Sequence, residues 1–575
     1  MIRSILMILI SLLAHSLAGF AAENGAYNYL HQVFDQYHRV FYVYRDADCG
    51  GNHFIPSGWM GDIKSITFEA DWFNNPHSGS TCIKITYQPK GLEGWAGIYW
   101  QFPENNWGKQ KGFNLSGAKM LTFWARGETG REKAEFKVGG IGSKNLKTPG
   151  IIALSREWRE YRVPLNGLDL NNLIGGFCWV TNVIQNPGGA TIYLDEIYFD
   201  MERPEELRLL QSFGVTSAPD DIVLRNVGFT YDNALALLAL LAKGGEKDLK
   251  KARMLADSFI FAQDNDCHFS DGRLRNVYRS GDLKDPIIGR ARLPGWWDKD
   301  KGKRFEDKYR VSNHTGNLAW VMIALLEAYE RYKDKGYLNG VIRLAFWIEN
   351  NCKDSRGAGG YTGGFEGWEE KQTKLLWKST EHNIDLYVAF TRLHQRTKDA
   401  KWQQAAGNAL RFVEAMWDDR RGHFWTGTLE NGVTINRQTI PLDVQTWAIL
   451  GYKDKKYNRA VEWNERNCLV IKCQHGCGTS GFDFNNDRDG VWFEGTAQQA
   501  LAFALMGDEK KYQATIKSLK MGQSASGGIY ATCHDGVTTG FNWKYNRRIH
   551  LGATCWYIFA MKRWNPYWGK QINNR

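Results

Sequence analysis

Residues 313–330 read NHTGNLAWVMIALLEAYE. A polar opening of Asn, His and Thr runs straight into an apolar stretch rich in small residues. Polar groups of this kind suit a helix start, and an apolar run with little polar interruption suits a buried helix. The same pattern returns as TYDNALALLALLA from Thr230, STEHNIDLYVAFTRLH from Ser379, PLDVQTWAILGY from Pro441, WFEGTAQQALAFALMG from Trp492 and IHLGATCWYIFAM from Ile549. The six copies are spaced by roughly 50–80 residues. Amphipathic stretches lie between them, among them DLKKARMLADSFIFAQ, YLNGVIRLAFWIENN and WQQAAGNALRFVEAMWD. Repetition on this scale means a stacked or closed array. Six helical hairpins, apolar helix inside and amphipathic helix outside, close as an all-α (α/α)6 barrel over residues 204–575. The Ala and Gly of the inner helices let neighbours approach around a narrow ring.

The chain ahead of the barrel has a different period. STCIKITYQ sends Ile83, Ile85 and Tyr87 to one side, and KMLTFWAR sends Leu121, Phe123 and Ala125 to one side. EWREYRVPL and ATIYLDEIYF repeat the alternation, with Gly, Asn and Pro clusters between the runs. Many short alternating strands predict an N-terminal antiparallel β-sandwich over residues 23–203. Before it, Arg3 precedes ILMILISLLAHSLAGF, and small residues follow. That reads as a signal peptide over 1–22, cut near Ala21 or Ala22, and predicts a secreted or periplasmic protein. No later run approaches the roughly 18–20 apolar residues a membrane helix needs, so no membrane anchor is expected. The fold class is therefore multi-domain, a sandwich followed by an α barrel.

The first half resembles the jelly-roll carbohydrate-binding modules of the galactose-binding-like superfamily. GWAGIYWQFP, FNLSGAKMLTFWARG, EWREYRVPLNGL and IYLDEIYFD carry the resemblance. It implies glycan binding, and a structural calcium near the terminal strand, where Asp195 and Glu196 stand. The second half resembles the six-hairpin glycosidase superfamily of hydrolases, lyases and phosphorylases, with RRIHLGATCWYIFAMKRWNP similar to its closing helix. That resemblance implies a polysaccharide or oligosaccharide substrate, no required cofactor, and hydrolysis with inversion between separated carboxylates.

Composition agrees with a sugar-facing protein. The chain of 575 residues carries 24 Trp and 25 Tyr, and a formal charge of +11. Many Trp lie in Gly-rich loops, where flat rings are placed to stack on the C–H faces of sugars. The charge admits an anionic polymer as partner. No Lys/Arg block or nucleic-acid motif is present, so no nucleic-acid partner is expected. Ten cysteines in an exported chain permit disulfides. Cys49 and Cys82 are one pairing. CLVIKCQHGC, residues 468–477, suggests zinc by its His475, but its spacings favour a disulfide in a long loop.

Inner helices of such a barrel all start at one end, so their polar openings converge on one mouth. Aligned by their apolar runs, Asn317, Asp385, Gln498 and Thr554 share one level, and Asn313, Glu381, Glu494 and His550 stand one helical turn earlier. Glycoside hydrolysis needs a proton donor and a carboxylate base or nucleophile. The catalytic candidates are Glu494, Glu381, Asp385, Asp232 and Asp443, weighed against capping of the first turn. His314, His382, His550, Tyr231 and Glu366 are candidates for holding sugar hydroxyls, and Trp296, Trp297, Trp368, Trp377 and Trp492 for stacking. Glu494 follows NNDRDG, a partial calcium loop in which Asn485, Asp487 and Asp489 alternate. The bidentate Glu of a full loop is missing at the twelfth position, which is Thr496, so a structural Ca2+ would rest on the loop alone. Glu494 itself, beside Trp492 and Phe493, reads as a site carboxylate with a raised pKa. Two other readings remain open. One is a lyase for uronate-containing glycans using Tyr231, Asn313, His314, Arg547, Arg548 and His550. The other is a non-catalytic glycan-binding protein of polysaccharide assembly.

Overall fold

The computed structural model describes residues 22–36, 40–141, 146–201, 206–285, 288–298, 300–473, 475 and 477–572. The signal-peptide expectation falls on residues outside these except at Ala22, and the expected domain join at 203/204 also lies outside them. Twelve strands build the first half: β1 (Val40–Tyr44), β2 (Ile55–Gly61), β3 (Ile66–Trp72), β4 (Cys82–Tyr87), β5 (Trp95–Gln101), β6 (Met120–Gly127), β7 (Lys133–Gly139), β8 (Leu146–Lys147), β9 (Ile151–Ala153), β10 (Arg159–Pro164), β11 (Gly175–Asn182) and β12 (Ala190–Asp200). One antiparallel sheet runs β10-β6-β12-β4-β3 with β1 beside β12, and the other runs β2-β5-β11-β7-β8 with β9 beside β7. Ile83, Ile85 and Tyr87 of β4 and Leu121, Phe123 and Ala125 of β6 are fully buried. They share one hydrophobic core with Trp100, Phe136, Phe177 and Trp179 of the opposite sheet. Period-two alternation therefore places one face of each strand between two sheets. Cys49 and Cys82 are both buried and neither forms a disulfide, so the expected bridge between them is not formed.

The second half is helical. The inner helices are α2 (Thr230–Lys243), α5 (Thr315–Tyr332), α7 (Thr380–Thr397), α9 (Leu442–Tyr452), α11 (Phe493–Met506) and α13 (Leu551–Lys562). The outer ones include α3 (Glu246–Asn265), α6 (Lys335–Cys352), α8 (Ala400–Ala415), α10 (Asn458–Asn467) and α12 (Glu509–Leu519), and α4 (Lys308–Val311) is a single turn in a loop. Each inner helix packs on the next, and α13 packs back on α2, so the ring closes. A recurrent turn makes the hairpins. All six inner helices end on a left-handed residue: Gly244, Lys333, Lys398, Lys453, Gly507 and Arg563. After three of them an Asp caps the outer helix with its side chain, Asp334, Asp399 and Asp508. The left-handed residue stops the helix, the Asp restarts it two residues later, and the chain reverses.

The twelfth helix comes from the other end of the chain. α1 (22–35) lies against α2, α3 and α13, where a sixth outer helix would stand. Tyr27 donates its hydroxyl to the Ala239 carbonyl (3.1 Å). Lys251 pairs with Asp35 (2.6 Å), His31 with Asp248 (2.9 Å) and Lys562 with Glu23 (3.5 Å). Ala26, Tyr27, Leu30 and Phe34 are buried in the barrel's core and not in the sandwich's. The expectation that residues from 23 onward open the sandwich is corrected here: 22–35 belong to the barrel, and the sandwich is inserted between its last outer helix and its first inner one.

The two halves meet through polar groups. Asn226, just before α2, donates to the Asp48 carbonyl (2.9 Å), and Arg279 donates to the carbonyls of Cys49 (3.2 Å), Gly50 (3.4 Å) and Asn52 (3.2 Å). Among the described residues no helix is long and apolar enough to cross a membrane.

The placement of α1 is tested by Leu30→Ala. Leu30 is 1 % exposed within the barrel core, so truncation is expected to cost about 2–4 kcal/mol. Urea unfolding should lose that stability in the transition reported by the barrel tryptophans. A loss confined to the sandwich's transition would show that α1 is misplaced.

Candidate active site

The inner helices begin at one end of the ring, and their first turns carry the acids. Capping does not account for them. Ser379 caps α7 by accepting from the His382 amide (3.3 Å), and the caps of α2 and α11, Phe229 and Trp492, make no side-chain bond. Glu381, Asp232 and Glu494 are left to face the mouth. Glu494, 3 % exposed, is held from three helices. Tyr231 of α2 donates its hydroxyl to Oε1 (2.7 Å), and Gln498 of its own helix donates to the same oxygen (3.4 Å). His550 at the start of α13 stands with Nδ1 3.4 Å from Oε2 and Nε2 3.2 Å from Asp232 Oδ1. The Ala553 amide shares that Nδ1 at 3.4 Å, so cap and carboxylate compete for one nitrogen. Phe213 stacks on the imidazole at 4.3 Å. Gly552 permits the approach: a Cβ there would lie 2.7 Å from Asp232 Oδ1 and 3.0 Å from Glu494 Oε2.

Burial and crowding set the protonation of the mouth. Burial, with the charges of Asp443, Asp385 and Glu494 around it, holds the Glu381 carboxyl well above the usual range. Burial lifts Asp385 well above its range too, although the Tyr567 hydroxyl donates to it at 2.7 Å. Burial raises Asp443 to about 7 and Glu494 to about 7, the second held back by His550 and Tyr231. Burial works against a charged His550, but Asp232 and Glu494 outweigh it and raise its pKa. His314 and His382 are pushed down by burial, to about 4 and about 3, and are neutral rings at pH 7. Several carboxyls with divergent affinities for protons around one opening are the arrangement acid–base chemistry needs.

Aromatic side chains form the floor and walls. Trp320, Trp447 and Trp556 pack on one another below the acids at 5.4–6.0 Å, and Trp556 Nε1 donates to the Tyr231 hydroxyl (2.8 Å). All three are buried, and Trp556 also aims the Tyr231–Glu494 bond. Trp377 stands 5.6 Å from His382 and 6.0 Å from His314, and His382 Nδ1 lies 3.0 Å from Thr315 Oγ1. Trp492 lies buried beneath Tyr545, nearly parallel at 6.0 Å. Tyr309, Tyr545 and Tyr567 were not anticipated. Glu381 and Asp232 raise the Tyr309 hydroxyl, after burial, to about 12, and burial with Glu494 and Asp443 raises that of Tyr545, so both rings sit among the acids.

Other candidates lie elsewhere. Trp296 and Trp297 form a short hairpin with 303–305 and line a cavity of about 410 Å3 between sandwich and barrel. Trp368 is 55 % exposed and donates to the Glu306 carbonyl (3.0 Å). Glu366 pairs with Lys308 (2.8 Å) on the loop beside His314. In the partial calcium loop, Asn485 Oδ1 accepts from the Asp487 amide (2.7 Å), Asp487 from the Thr538 hydroxyl (2.6 Å) and Asp489 from the Thr538 amide (3.0 Å). Buried Asp483, which the sequence reading passed over, joins Asp487 and Asp489 in a cluster whose oxygens lie within 4.8 Å of one another. These bonds clamp the loop on 538, while Asn485 Nδ2 is buried without a hydrogen-bond partner among the described residues, and no chemistry is routed through an ion there. In the sandwich, Asp195 accepts from the amides of His77 (2.9 Å) and Ser78 (3.1 Å). Cys473 and Cys477 form the expected loop disulfide, with Cys533 Sγ 2.8 Å from that of Cys477.

No protein-family model matches the chain, and no curated protein matches it in sequence. Solved structures similar to it include cellobiose 2-epimerase from Bacillus thermoamylovorans B4167, 13% identical, with a TM-score of 0.43, covering 62% of this chain and 93% of that one. D-mannose isomerase is 11% identical, with a TM-score of 0.43 over 62% and 91%. An alpha-amylase from Clostridium perfringens is 12% identical, with a TM-score of 0.42 over 62% and 92%. Likeness of that degree carries no argument about activity.

The raised carboxyls predict the pH dependence of stability. Between about pH 4.5 and 7 the folded chain holds protons at Glu494 and Asp443 that the unfolded chain has released, so stability falls as pH rises through that window. Loss of the His550 charge at higher pH adds in the same direction. Glu494 alone contributes about 3 kcal/mol. Urea midpoints measured from pH 5 to 8 should decline, and Glu494→Gln should flatten the slope. An unchanged slope would mean that Glu494 does not titrate in this range.

Proposed function

We propose that the protein is an exported glycoside hydrolase, working in the periplasm or outside the cell on a polysaccharide. One observation carries the reading. Around a single mouth, burial and like charges hold the Glu381 carboxyl well above its usual range and it pairs with no Lys, Arg or His among the described residues, while Glu494 is held as an acceptor by Tyr231, His550 and Gln498. Glu381 donates its proton to the leaving oxygen. Glu494 takes a proton from the attacking water, and Asp443 and Asp232 stabilise positive charge developing at the sugar ring. Attack by water from the face opposite the leaving group inverts the anomeric centre. Tyr309, His314 and Trp377 line the sugar's position, and the neutral histidines exchange hydrogen bonds with its hydroxyls. The sandwich acts as a jelly-roll carbohydrate-binding module.

The fate of the basic groups favours hydrolysis over uronate elimination. A lyase needs a free cation for the substrate carboxylate. Arg548 is paired with Asp221 (2.7 Å) and Asp535 (3.0 Å), and Arg547 lies over the Tyr530 ring at 3.8 Å. The Asn313 amide donates to the Leu274 carbonyl (2.7 Å), and its oxygen accepts from Arg273 (3.2 Å).

Purified protein screened on neutral and acidic glycans is expected to release reducing ends from a neutral one, without absorbance near 235 nm. Glu381→Gln and Glu494→Gln should each lower kcat by about a thousandfold or more. The first product seen by NMR should carry the inverted anomer. A 235 nm product, or full activity in both variants, would overturn the assignment.

A further inference from the structure

Next to the acids stands a set of aromatic rings that the mechanism leaves unused. A hairpin, Val537–Thr538 paired with Lys544–Tyr545, carries Phe541, Trp543 and Tyr545. Tyr545 is its inner end, over Trp492 and within reach of the charges of Glu494 and Asp443. Trp543 stands edge-on to Tyr545 at 4.9 Å, and Phe484 lies 5.7 Å from Trp543 and 6.4 Å from Phe541. The rings thus run in an unbroken series from the carboxylates outward. At the outer end Phe541 and Trp543 are each 43 % exposed. Large aromatic rings left half in water beside a polar mouth are a recognition surface more than a core.

The series is also held in place. Thr538 is gripped by Asp487 and Asp489, His534 Nε2 lies 3.0 Å from the Asp489 carbonyl, and Thr439 donates to the Gly540 carbonyl (3.0 Å). Inside the hairpin the Thr539 hydroxyl donates to the Trp543 carbonyl (2.7 Å). The acidic loop 485–490 therefore serves as the support of this hairpin. A platform fixed before binding loses little entropy when a ligand lands on it.

We propose that the mouth takes an extended neutral glycan chain, with the units beyond the scissile bond stacking along Tyr545, Trp543 and Phe541. The proposal rests on the hydrolase reading. It assigns the ligand class by chemistry: pyranose rings offer C–H faces to the aromatics, and Arg548, already paired with Asp221 and Asp535, is not free to meet a uronate carboxylate. A substrate of one or two units would reach the acids without touching the outer rings.

The test uses oligosaccharides of increasing length from whichever neutral glycan the enzyme cleaves. For the wild type, kcat/KM should rise with length. Trp543→Ala and Phe541→Ala should each lower it about tenfold for the longest chain, mostly through KM, and leave the shortest substrate unchanged. Calorimetric binding of the longest chain to Glu494→Gln, with and without Trp543→Ala, should show the same loss without turnover. Equal losses on all lengths, or none, would overturn the subsite while hydrolysis stands. If no neutral glycan is cleaved and none binds to Glu494→Gln, the hydrolase reading fails and the subsite fails with it.

Discussion

The mouth depends on burying several carboxyl groups around a single imidazole. Charges that share a dry opening cannot all ionise, because each pays desolvation and repels the others. His550 lies between Asp232 and Glu494 and can neutralise only there. Glu494 has a hydroxyl and an amide besides, so its anion is the best supported. Glu381, which meets like charges on three sides, keeps its proton. The groups titrate as a set, and the division into donor and acceptor follows from who has hydrogen-bond donors. Trp556 and Gly552 serve that division without touching a sugar. One fixes the Tyr231 hydroxyl, and the other leaves room for two carboxylates beside α13.

That clustering follows from the way the ring is made. Each inner helix ends on a left-handed residue and the first five reverse into an outer helix, so every inner helix starts at the same end. The first turns then meet over the axis, and the Trp320, Trp447 and Trp556 rings plug the space beneath them. A ring of this kind needs twelve helices to cover its inner six. The chain after α13 runs out into a short strand pair at Trp564–Asn565 and Lys570–Gln571. α1 takes the vacant outer position, and the ring is covered by a segment some two hundred residues ahead of it.

The six apolar runs were legible because a helix buried on all sides leaves a long unbroken apolar signal, and the acids were legible because they open those runs. The strand alternation was legible for the same reason on a period of two. α1 was not. An amphipathic segment of some fourteen residues looks alike whether it covers a sandwich or a barrel, and only the buried Tyr27 and Leu30 decide. Tyr309, Tyr545 and Tyr567 come from loops, where no periodicity tells which side chain turns inward. Trp296 and Trp297 lie in such a loop too, and only the structure shows that their hairpin with 303–305 lines a cavity shared with the sandwich. A signal that was present went unused. YKDKGY, TKDAKW, YKDKKY and MGDEKKY are the same hairpin turn written four times. Glu494 was legible as a candidate because it opens its run beside Trp492 and Phe493, but Tyr231 and His550, which hold it, come from other helices and left no mark in that stretch.

The insertion of the sandwich has a consequence for how a glycan meets the mouth. The bonds that fix it, from Asn226 to Asp48 and from Arg279 to residues 49–52, come from segments that lead into α2 or lie between α3 and α5. Asn226 stands four residues ahead of Thr230, so these contacts are at the mouth end of the barrel. The aromatic hairpin belongs to the segments leading into α11 and α13, and it is tied to Thr439 just ahead of α9. In the closed ring order α2, α5, α7, α9, α11, α13, the two stand about a third of the ring apart. Because the sandwich is covalently joined to the barrel on both sides, through α1 and through α2, its loops cannot swing away as those of a module on a single linker can. A chain bound as proposed, with one unit at Glu381 and Glu494 and others on the rings of 541–545, would have the sandwich beside the same mouth. The joins through α1 and α2 keep it there, because α1 is packed into the barrel's own core.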